Sequence, residues 1–255
     1  MQRSSWYHVR SAEALDRGSH DNAAVFDDAD VVASYLRPDR LSGAEEHLFG
    51  TYLKDGPDIL DLGVGTGRTT EALRSTGHSY VGVDLSPQMI SAALDRFPDA
   101  DMQVADAADL GRWHDDSFDA VVFSFNGLDY VTPQRRSAAL DEIRRVLRPG
   151  GVFIMSTHNP RALLRPPEGT QGLKAPAISA YRTLRRLRRL TASAFWTGSG
   201  MVWDPIKEGL DTHMSTPRRL RAELNSHGFE LLESVGAEYP RNRSRWATEW
   251  NYFAF

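Results

Sequence analysis

The stretch "ILDLGVGTGRTT", residues 59–70, constrains the fold of this chain more than any other. An apolar run around Asp61 gives way to glycine at every second position, at Gly63, Gly65 and Gly67. Glycine adopts backbone angles that other residues resist, so a buried strand can pass through a tight turn into a helix. The helix start offers N–H groups to a small polar ligand. The stretch therefore predicts a strand–loop–helix unit of an α/β fold with a ligand at its turn.

Apolar runs of strand length alternate with helical patterns along the chain. Helices are expected from near Thr66 to Arg74, from after Ser86-Pro87 to Arg96, from after Thr132-Pro133 to Leu147, and from after Ser215-Thr216-Pro217 to His227-Gly228. Strands that alternate with helices and are apolar throughout favour a parallel sheet covered on both faces. The pattern therefore predicts a doubly wound, seven-stranded, mostly parallel sheet, with strands at 58–62, 79–85, 101–106, 118–125, 151–157, 229–237 and 245–255.

The alternation also suggests a division of the chain into four parts. Residues 1–56 precede the first strand and are expected to form an N-terminal helical cap, and residues 57–157 form the first half of the domain. Residues 158–215 break the alternation, which indicates an inserted lid over a bound acceptor. Residues 216–255 supply a last helix and a final strand pair.

Composition limits the classes of function. The chain has 255 residues, a formal net charge of −4 and no cysteine. Disulfides and cysteine-rich zinc sites are excluded, and the balance of charge does not favour nucleic acid. No run approaches the roughly 20 apolar residues of a membrane span, and the first residues do not resemble a signal peptide. These features together favour a cytoplasmic protein. A metal site is not expected either, since no H-x-x-x-H spacing occurs.

Three acids fall at predicted strand ends, where a doubly wound sheet binds its ligand. Asp61 ends the first strand, Asp84 the second and Asp106 the third. The loop spacing is G-x-G-x-G, whereas dinucleotide sites use G-x-G-x-x-G and phosphate loops end in G-K-[ST]. The alternative for the loop is a purely structural turn, and for each acid a helix N-cap. Together the three acids predict a pocket for an adenosine that carries positive charge and no phosphate.

Five ordered pieces of the sequence resemble the class I S-adenosylmethionine-dependent methyltransferases: "ILDLGVGTGR", "YVGVDLSPQMI", "VADAADL", "FDAVVFSFNGLDY" and "EIRRVLRPGGVFIMST". The piece "FSFNGLDY" followed by "STHN" is similar to a bacterial small-molecule subgroup. The resemblance implies a Rossmann-like fold, S-adenosylmethionine as cofactor, and methylation of O or N in a natural product or sugar. A carrier-bound, nucleotide-linked or lipid-linked acceptor is an alternative. So are a non-catalytic cofactor-binding protein, a nucleotide-cofactor oxidoreductase and, less favoured, a nucleic-acid methyltransferase.

The resemblance also implies roles at the cofactor. The three glycines would pass under the methionyl and ribose parts, and Asp84 would hold the ribose hydroxyls. Arg68 would meet the methionyl carboxylate, unless it is a solvated helix charge. Tyr35 would close over the cofactor, unless it is a core residue, and Trp6 and Tyr7 are weaker candidates for that lid. The remaining expected contacts are Asp61 near the amino end, Leu85 and Met89 at the adenine face, Asp106 and Ala107 at the adenine edge, and Ser124 near the sulfonium.

His158 is the favoured general base for the acceptor, because it follows the fifth strand and histidine needs little pKa adjustment near neutral pH. The alternatives are a loop histidine bonded to backbone, and His213 as the base. The segment 181–190 reads as a basic amphipathic helix, either a lid helix with solvated arginines or a contact for an anionic partner. The expected substrate contacts are Asn126, Asp129, Tyr130 and Asn159, with Trp196 and Trp203 as a pocket wall or as the lid's own core.

Overall fold

A computed structural model describes residues 22–36, 40–161, 193–204, 210–240 and 250–255. The N-terminal helices are α1 (Asn22–Phe26), α2 (Ala29–Tyr35) and α3 (Gly43–Tyr52). The later ones are α4 (Thr70–Thr76), α5 (Pro87–Arg96), α6 (Pro133–Val146), α7 (Ser193–Thr197) and α8 (Pro217–Ser226). None of the described helices is both long and apolar enough to cross a membrane.

The described residues form one sheet of nine strands. The first five are β1 (Asp58–Leu62), β2 (Ser79–Asp84), β3 (Asp101–Val104), β4 (Phe118–Phe123) and β5 (Leu147–His158). The others are β6 (Ser199–Asp204), β7 (Leu210–Ser215), β8 (Glu233–Gly236) and β9 (Trp250–Ala254). The order is β3-β2-β1-β4-β5-β7-β6, and β9 pairs with both β5 and β8.

The α/β class and the parallel centre of the sheet are confirmed, because β3, β2, β1, β4 and β5 all run parallel. The expected final strand pair is also present, with β8 and β9 antiparallel. The predicted number of seven strands is wrong. The segment interpreted as a lid contributes the antiparallel hairpin of β6 and β7, which joins the sheet through the pair His158 and Met214. The hairpin could not be predicted because its strands are polar and contain glycine. In the structure it buries Val202 and Met214 against Ala194.

The ends of the helices and strands follow local capping chemistry. Ser86 caps α5 by accepting the Met89 N–H at 3.1 Å, and Pro87 occupies the first turn where no N–H is needed. The helix expected near Thr66 begins only at Thr70. Residues 63–69 instead form the turn, since all three glycines of the loop have positive φ. The loop is therefore longer than its sequence indicates.

Two clusters of buried apolar side chains cover the two faces of the sheet. One cluster joins Leu60, Val121 and Phe153 to the apolar sides of α6 and α8. The other joins Ile59, Val122 and Ile154 to α3, α4 and α5. Alternate residues of β1, β4 and β5 thus point to opposite faces, as buried strands require. This rigid core fixes the carboxyl ends of the parallel strands, where the expected site residues lie.

Candidate active site

The three glycines of the loop differ in the space beside their backbone: one has room for a side chain, and two do not. A Cβ at Gly63 would stand 2.7 Å from the Phe123 ring, and one at Gly67 would stand 2.9 Å from the Phe97 ring. A Cβ at Gly65 would meet nothing within 4 Å, although its φ of +56° also favours glycine. Gly63 and Gly67 are therefore required by packing within the chain, whereas Gly65 leaves space beside its backbone that a ligand can fill.

Asp84 ends β2 and is tied to the loop. Its Oδ2 accepts the Gly65 N–H at 2.9 Å, and its Oδ1 accepts the Ser86 N–H at 2.9 Å. Burial raises the pKa of Asp84, and the hydrogen bonds from Ser86 and Gly65 act against that rise. The next side chain, Leu85, is 48% exposed. An acid fixed beside the open glycine, followed by an exposed apolar side chain, suits a ribose with an attached base.

Asp61 lies beneath the loop and has no exposed face. Its Oδ2 accepts hydrogen bonds from the Thr69 hydroxyl at 2.8 Å and the Tyr80 hydroxyl at 3.0 Å. Burial raises the pKa of Asp61 to about 7, although the bonds from Thr69 and Tyr80 lower it. The carboxyl group therefore anchors the first turn of α4 to β2. Its expected place near the amino end of a ligand stays a prediction.

Arg68 and Ser124 meet an acid that sequence reasoning missed. Arg68 forms a two-pronged ion pair with Glu45 of α3, with Nη1 3.0 Å from Oε2, and Ser124 Oγ donates to Oε1 of the same carboxylate. Burial acts to raise the pKa of Glu45, but the charge and hydrogen bonds of Arg68 bring it below its usual value. Arg68 is thus an internal ion-pair partner in this structure, not a solvated helix charge. The capping box of Ser42 and Glu45 indicates a helix start in the sequence. It gives no indication that Glu45 pairs with Arg68.

Asp106 lies beyond the end of β3 with both carboxylate oxygens engaged. Oδ1 accepts the Ala108 N–H at 2.8 Å, which forms a local turn, and Oδ2 lies 3.0 Å from Nη2 of Arg135. Arg135 is a surface side chain on α6, so this ion pair is weak. Ala107 is half-buried within the same turn. The role of Asp106 and Ala107 at an adenine edge stays a prediction.

The N-terminal helices pack beside the glycine loop. The Thr66 hydroxyl donates to the Tyr35 carbonyl at 2.9 Å, and Asp27 accepts from the Ser86 hydroxyl at 2.8 Å. Met89 is buried in a cluster with Val31, Val32 and the half-buried Phe26 and Tyr35. Met89 therefore packs against α1 and α2, and Tyr35 belongs to the same small core at the edge of the loop. Closure of Tyr35 over the cofactor stays a prediction.

A buried histidine–aspartate pair lies at the end of β5, where the acceptor was expected. Asp129 Oδ2 lies 2.9 Å from Nδ1 of His158 and accepts the His158 backbone N–H at 2.7 Å. Its Oδ1 accepts the Thr157 hydroxyl at 2.7 Å. Asp129 is fully buried, so it binds His158 and Thr157 where a substrate contact was expected. His158 is 4% exposed, and its side chain pairs with an acid. The alternative of a loop histidine bonded only to backbone is therefore wrong.

Asn126 faces the other side of the His158 ring. Its Nδ2 lies 3.4 Å from His158 Nε2, and its backbone N–H donates to Ser156 Oγ at 2.7 Å. Within the described chain, Asn126 Oδ1 is buried without a hydrogen-bond partner. The rings of Tyr130 and Trp250 contact the His158 ring edgewise, with centroids 6.1 and 6.4 Å away. The base candidate therefore lies between aromatic rings and one unsatisfied polar atom.

The rival base, His213, lies on the far side of Asp129. Its Nδ1 is 4.0 Å from Asp129 Oδ1, and its Nε2 is 3.2 Å from the Ser199 hydroxyl. Burial, and next the positive charge of Arg136, lower the pKa of His213. Among the described residues, no cluster of three or more His, Asp or Glu side chains could hold a metal ion.

For the remaining expected substrate contacts, the described structure shows no contact with this centre, and their roles stay predictions. Asn159 accepts the Arg161 N–H at 3.1 Å in a local turn after β5. The Trp196 side chain is 73% exposed on the short helix α7, so it does not form a closed pocket wall. The side chain of Trp203 lies outside what the structure describes, as do Trp6, Tyr7 and the segment 181–190.

Comparison with known proteins adds to this geometry. Residues 59–151, which run from the glycine loop into β5, match a family described as "Methyltransferase domain". This segment of the chain is therefore similar to a methyltransferase domain. The family match covers the loop, Asp84 and Asp106.

Relatives match this chain over part of their own length. A demethylmenaquinone methyltransferase of Beutenbergia cavernae is 38% identical over 149 residues, which are 56% of this chain and 60% of that protein. The chain thus spans less than two thirds of this relative. Among solved structures, the CcbJ methyltransferase of Streptomyces caelestis has a TM-score of 0.61 at 21% identity and covers 92% of this chain and 98% of its own. A methyltransferase of Methanosarcina mazei has a TM-score of 0.57 at 23% identity and covers 81% and 95%. Both structures support the fold.

Proposed function

We propose that this protein transfers a methyl group from S-adenosylmethionine to a small-molecule acceptor. The observation that carries the proposal is the pairing of the open Gly65 with Asp84, inside a segment that matches the methyltransferase domain family. S-adenosylmethionine, when bound, supplies a methyl group on a positively charged sulfur. The residues present fit this group, because the acids and glycines at the strand ends suit a cationic adenosine and would repel a pyrophosphate.

Asp84 would hold the ribose hydroxyls, and Leu85 would cover one face of the adenine. Asp106 and Ala107 would contact the adenine edge, which requires Asp106 to exchange its surface partner Arg135 for the ligand. Arg68 can bind the methionyl carboxylate only while it shares its five N–H donors with Glu45. Ser124 already donates to Glu45, so it would act next to the sulfonium through its backbone.

His158 would take the proton of the acceptor group, because its ring is oriented by Asp129 and lies at the end of β5 beside β4. Alignment and exclusion of water supply most of the rate in a methyl transfer, and a general base adds about 10²–10⁴-fold. Burial of His158 between Tyr130 and Trp250 provides the dry surroundings that such alignment needs.

The acceptor is proposed to be a small aromatic molecule, methylated on O or N. The aromatic rings around His158 suit a flat, apolar acceptor. A quinone-type acceptor is the second candidate, since the relatives matched over the domain are named demethylmenaquinone methyltransferases. A sugar acceptor receives no support from these rings.

Thermal unfolding with S-adenosylhomocysteine, the demethylated product, tests the cofactor assignment. At 100 times its dissociation constant a ligand stabilises a protein by about 2.7 kcal/mol, which raises the melting temperature by several degrees. Asp84→Ala should abolish this rise. The matched control is Asp101→Ala, because Asp101 is an exposed acid at the other end of the parallel strands. Equal rises in wild type and Asp84→Ala would overturn the assignment.

A further inference from the structure

We propose that Glu45 is a positioning residue of the cofactor site. It holds one edge of the Arg68 guanidinium, so that another edge of this group is presented to the amino-acid end of the methyl donor. It also balances the charge of Arg68, so that this end of the site prefers a zwitterion to an anion. The inference rests on the proposed methyl transfer, and it names the side chain that selects the cofactor by charge.

Glu45 joins the two strand ends at which this sheet is expected to bind its ligand. The strand order β3-β2-β1-β4-β5 reverses direction between β1 and β4, and doubly wound sheets bind ligands at the carboxyl ends of the strands beside such a reversal. Arg68 lies in the loop after β1, and Ser124 directly follows β4. The Glu45 carboxylate, on α3, accepts from both side chains. One residue of α3 therefore fixes groups on both sides of the crevice.

The carboxylate of Glu45 is itself held in one position. Its Oε2 accepts the Ser42 backbone N–H at 2.7 Å and an N–H of Arg68 Nη1 at 3.0 Å. Its Oε1 accepts from Arg68 Nη2 and from the Ser124 hydroxyl. The Glu45 side chain is fully buried, so a ligand cannot touch it. Glu45 can therefore act on a bound cofactor only through its partners and its charge.

Two N–H donors of Arg68 are left for a ligand. A guanidinium carries five N–H donors in one plane. Glu45 takes one from Nη1 and one from Nη2, and the Arg40 carbonyl takes the second from Nη1 at 3.2 Å. The Nε N–H and the second N–H of Nη2 lie side by side and have no partner among the described residues. Two parallel donors match the two oxygens of a carboxylate, and the Arg68 side chain is 25% exposed, so a ligand can reach it.

The Phe125 ring restricts the guanidinium further. It lies 5.0 Å from Arg68 Cζ and covers one face of the group. Glu45 fixes the direction of the guanidinium within its plane, and Phe125 fixes the plane. The two remaining donors are thus ordered before a ligand arrives, which lowers the entropy that binding costs.

The charges at this end of the site favour a zwitterion. Arg68 and Glu45 together are neutral. Asp61, which lies in the field of both, has a pKa of about 7 and adds partial negative charge. A carboxylate alone would bring a negative charge that nothing balances, and a phosphate would bring more. An amino-acid end carries an ammonium group beside its carboxylate, so it can use the two donors of Arg68 without adding net charge.

Three adenosine ligands that differ at this end test the proposal. S-adenosylhomocysteine carries the zwitterion, its deamino analogue keeps the carboxylate but lacks the amino group, and 5′-methylthioadenosine has neither. Isothermal titration calorimetry of the full chain at pH 7 measures the dissociation constant of each. Wild type should bind S-adenosylhomocysteine about tenfold or more tightly than either of the other two.

Glu45→Gln should change the order of these ligands. The charge of Arg68 is then no longer balanced, so the deamino analogue should gain on S-adenosylhomocysteine, and the ratio of their dissociation constants should fall about tenfold. The affinity for 5′-methylthioadenosine should stay within about threefold of wild type. Glu45→Asp keeps the charge and should keep most of the preference. Glu46→Gln is the matched control, since Glu46 is the next residue of α3 and is exposed; it should bind all three as wild type does.

A wild type that binds the deamino analogue as tightly as S-adenosylhomocysteine would overturn the proposal, and this result needs no variant to fold. A Glu45→Gln protein that weakens all three ligands by one factor would show a merely structural role and overturn it as well. Should Glu45→Gln not fold, Arg68→Lys takes its place. Lysine keeps the charge but lacks the forked donors, so the preference for S-adenosylhomocysteine over 5′-methylthioadenosine should fall about tenfold. An unchanged preference in Arg68→Lys would refute the positioning role.

Failure of the proposed function gives a different result. None of the three adenosine ligands would then bind to wild type, and both proposals would be wrong. Binding of S-adenosylhomocysteine with the same ligand ratios in wild type and Glu45→Gln would overturn the role of Glu45 alone.

Discussion

Glu45→Gln should cost this protein a large part of its stability. The Glu45 side chain is fully buried, and its two oxygens accept from Arg68, from the Ser42 N–H at 2.7 Å and from the Ser124 hydroxyl. Glutamine keeps the volume, but it removes the charge and turns an N–H₂ group toward donors. Removing one partner of a buried ion pair costs about 3–5 kcal/mol, since the other charge is left uncompensated.

The exposure of Arg68 places the expected effect at the lower end of this range. Its side chain is 25% exposed, so water can solvate part of the guanidinium that Glu45 leaves behind. We therefore expect Glu45→Gln to lower the free energy of unfolding by about 3 kcal/mol. For a chain of this size each kcal/mol corresponds to about 2–4 °C, so the melting temperature should fall by roughly 6–12 °C.

Urea and thermal unfolding at pH 7 measure this effect. Glu46→Gln is the matched control, because Glu46 is the next residue of α3 and is exposed; it should stay within about 0.5 kcal/mol of wild type. The double variant Glu45→Met with Arg68→Met should be more stable than Glu45→Met alone, since no charge is then buried without a partner. A Glu45→Gln protein within about 1 kcal/mol of wild type would refute the ion-pair reasoning.

The remaining predictions concern Asp61 and the glycines. The pKa of Asp61 is raised to about 7 by burial, so the folded state keeps a proton that the unfolded state loses above about pH 4, and stability falls as pH rises between these values. The test is urea unfolding of Asp61→Asn and of wild type from pH 4 to 8. The stability of the variant relative to wild type should rise up to about pH 7, by at most about 1.4 kcal/mol per pH unit. A difference that stays constant with pH would contradict this. Gly63→Ala should lose roughly 2–4 kcal/mol by urea unfolding, from left-handed strain and the contact with Phe123. Gly65→Ala should lose only about 1–2 kcal/mol but abolish the rise in melting temperature with S-adenosylhomocysteine, and a full rise would show that no ligand fills this space.

The parallel part of the fold could be predicted because local sequence patterns determine it. Buried runs such as β1 and β4 are continuous in sequence, and caps such as Ser86 with Pro87 mark where helices begin. The acids at strand ends follow from the same reasoning, since parallel strands place their carboxyl ends at one edge. The hairpin of β6 and β7 was missed because its short, glycine-containing strands depend on contacts with β5 and α7.

The contacts that define the candidate site depend on distances that sequence spacing does not reveal. Glu45 reaches Ser124 across 79 positions, and Asp129 reaches His158 across 29. Arg68 carries no signal that separates a ligand contact from an internal partner, because both need the same guanidinium. Residue types at the right strand ends could be named, as His158 and Asn126 were, but whether a given oxygen faces a ligand or a neighbour required coordinates.

The turn after β4 joins the two buried networks of the site. Ser124 donates to Glu45 on the side of the proposed cofactor site, and two residues later Asn126 faces His158 on the side of the proposed acceptor site. Between them the backbone is left-handed at two successive residues other than glycine, Phe125 with φ of 54° and Asn126 with φ of 66°. Such residues cost about 1–3 kcal/mol each and persist only where their surroundings fix them. Here the Phe125 ring lies 5.0 Å from the Arg68 guanidinium, and the Asn126 N–H is held by Ser156. The strained turn thus couples the ion pair of Glu45 to the position of Asn126 beside His158, so loosening the first network should also misplace the second.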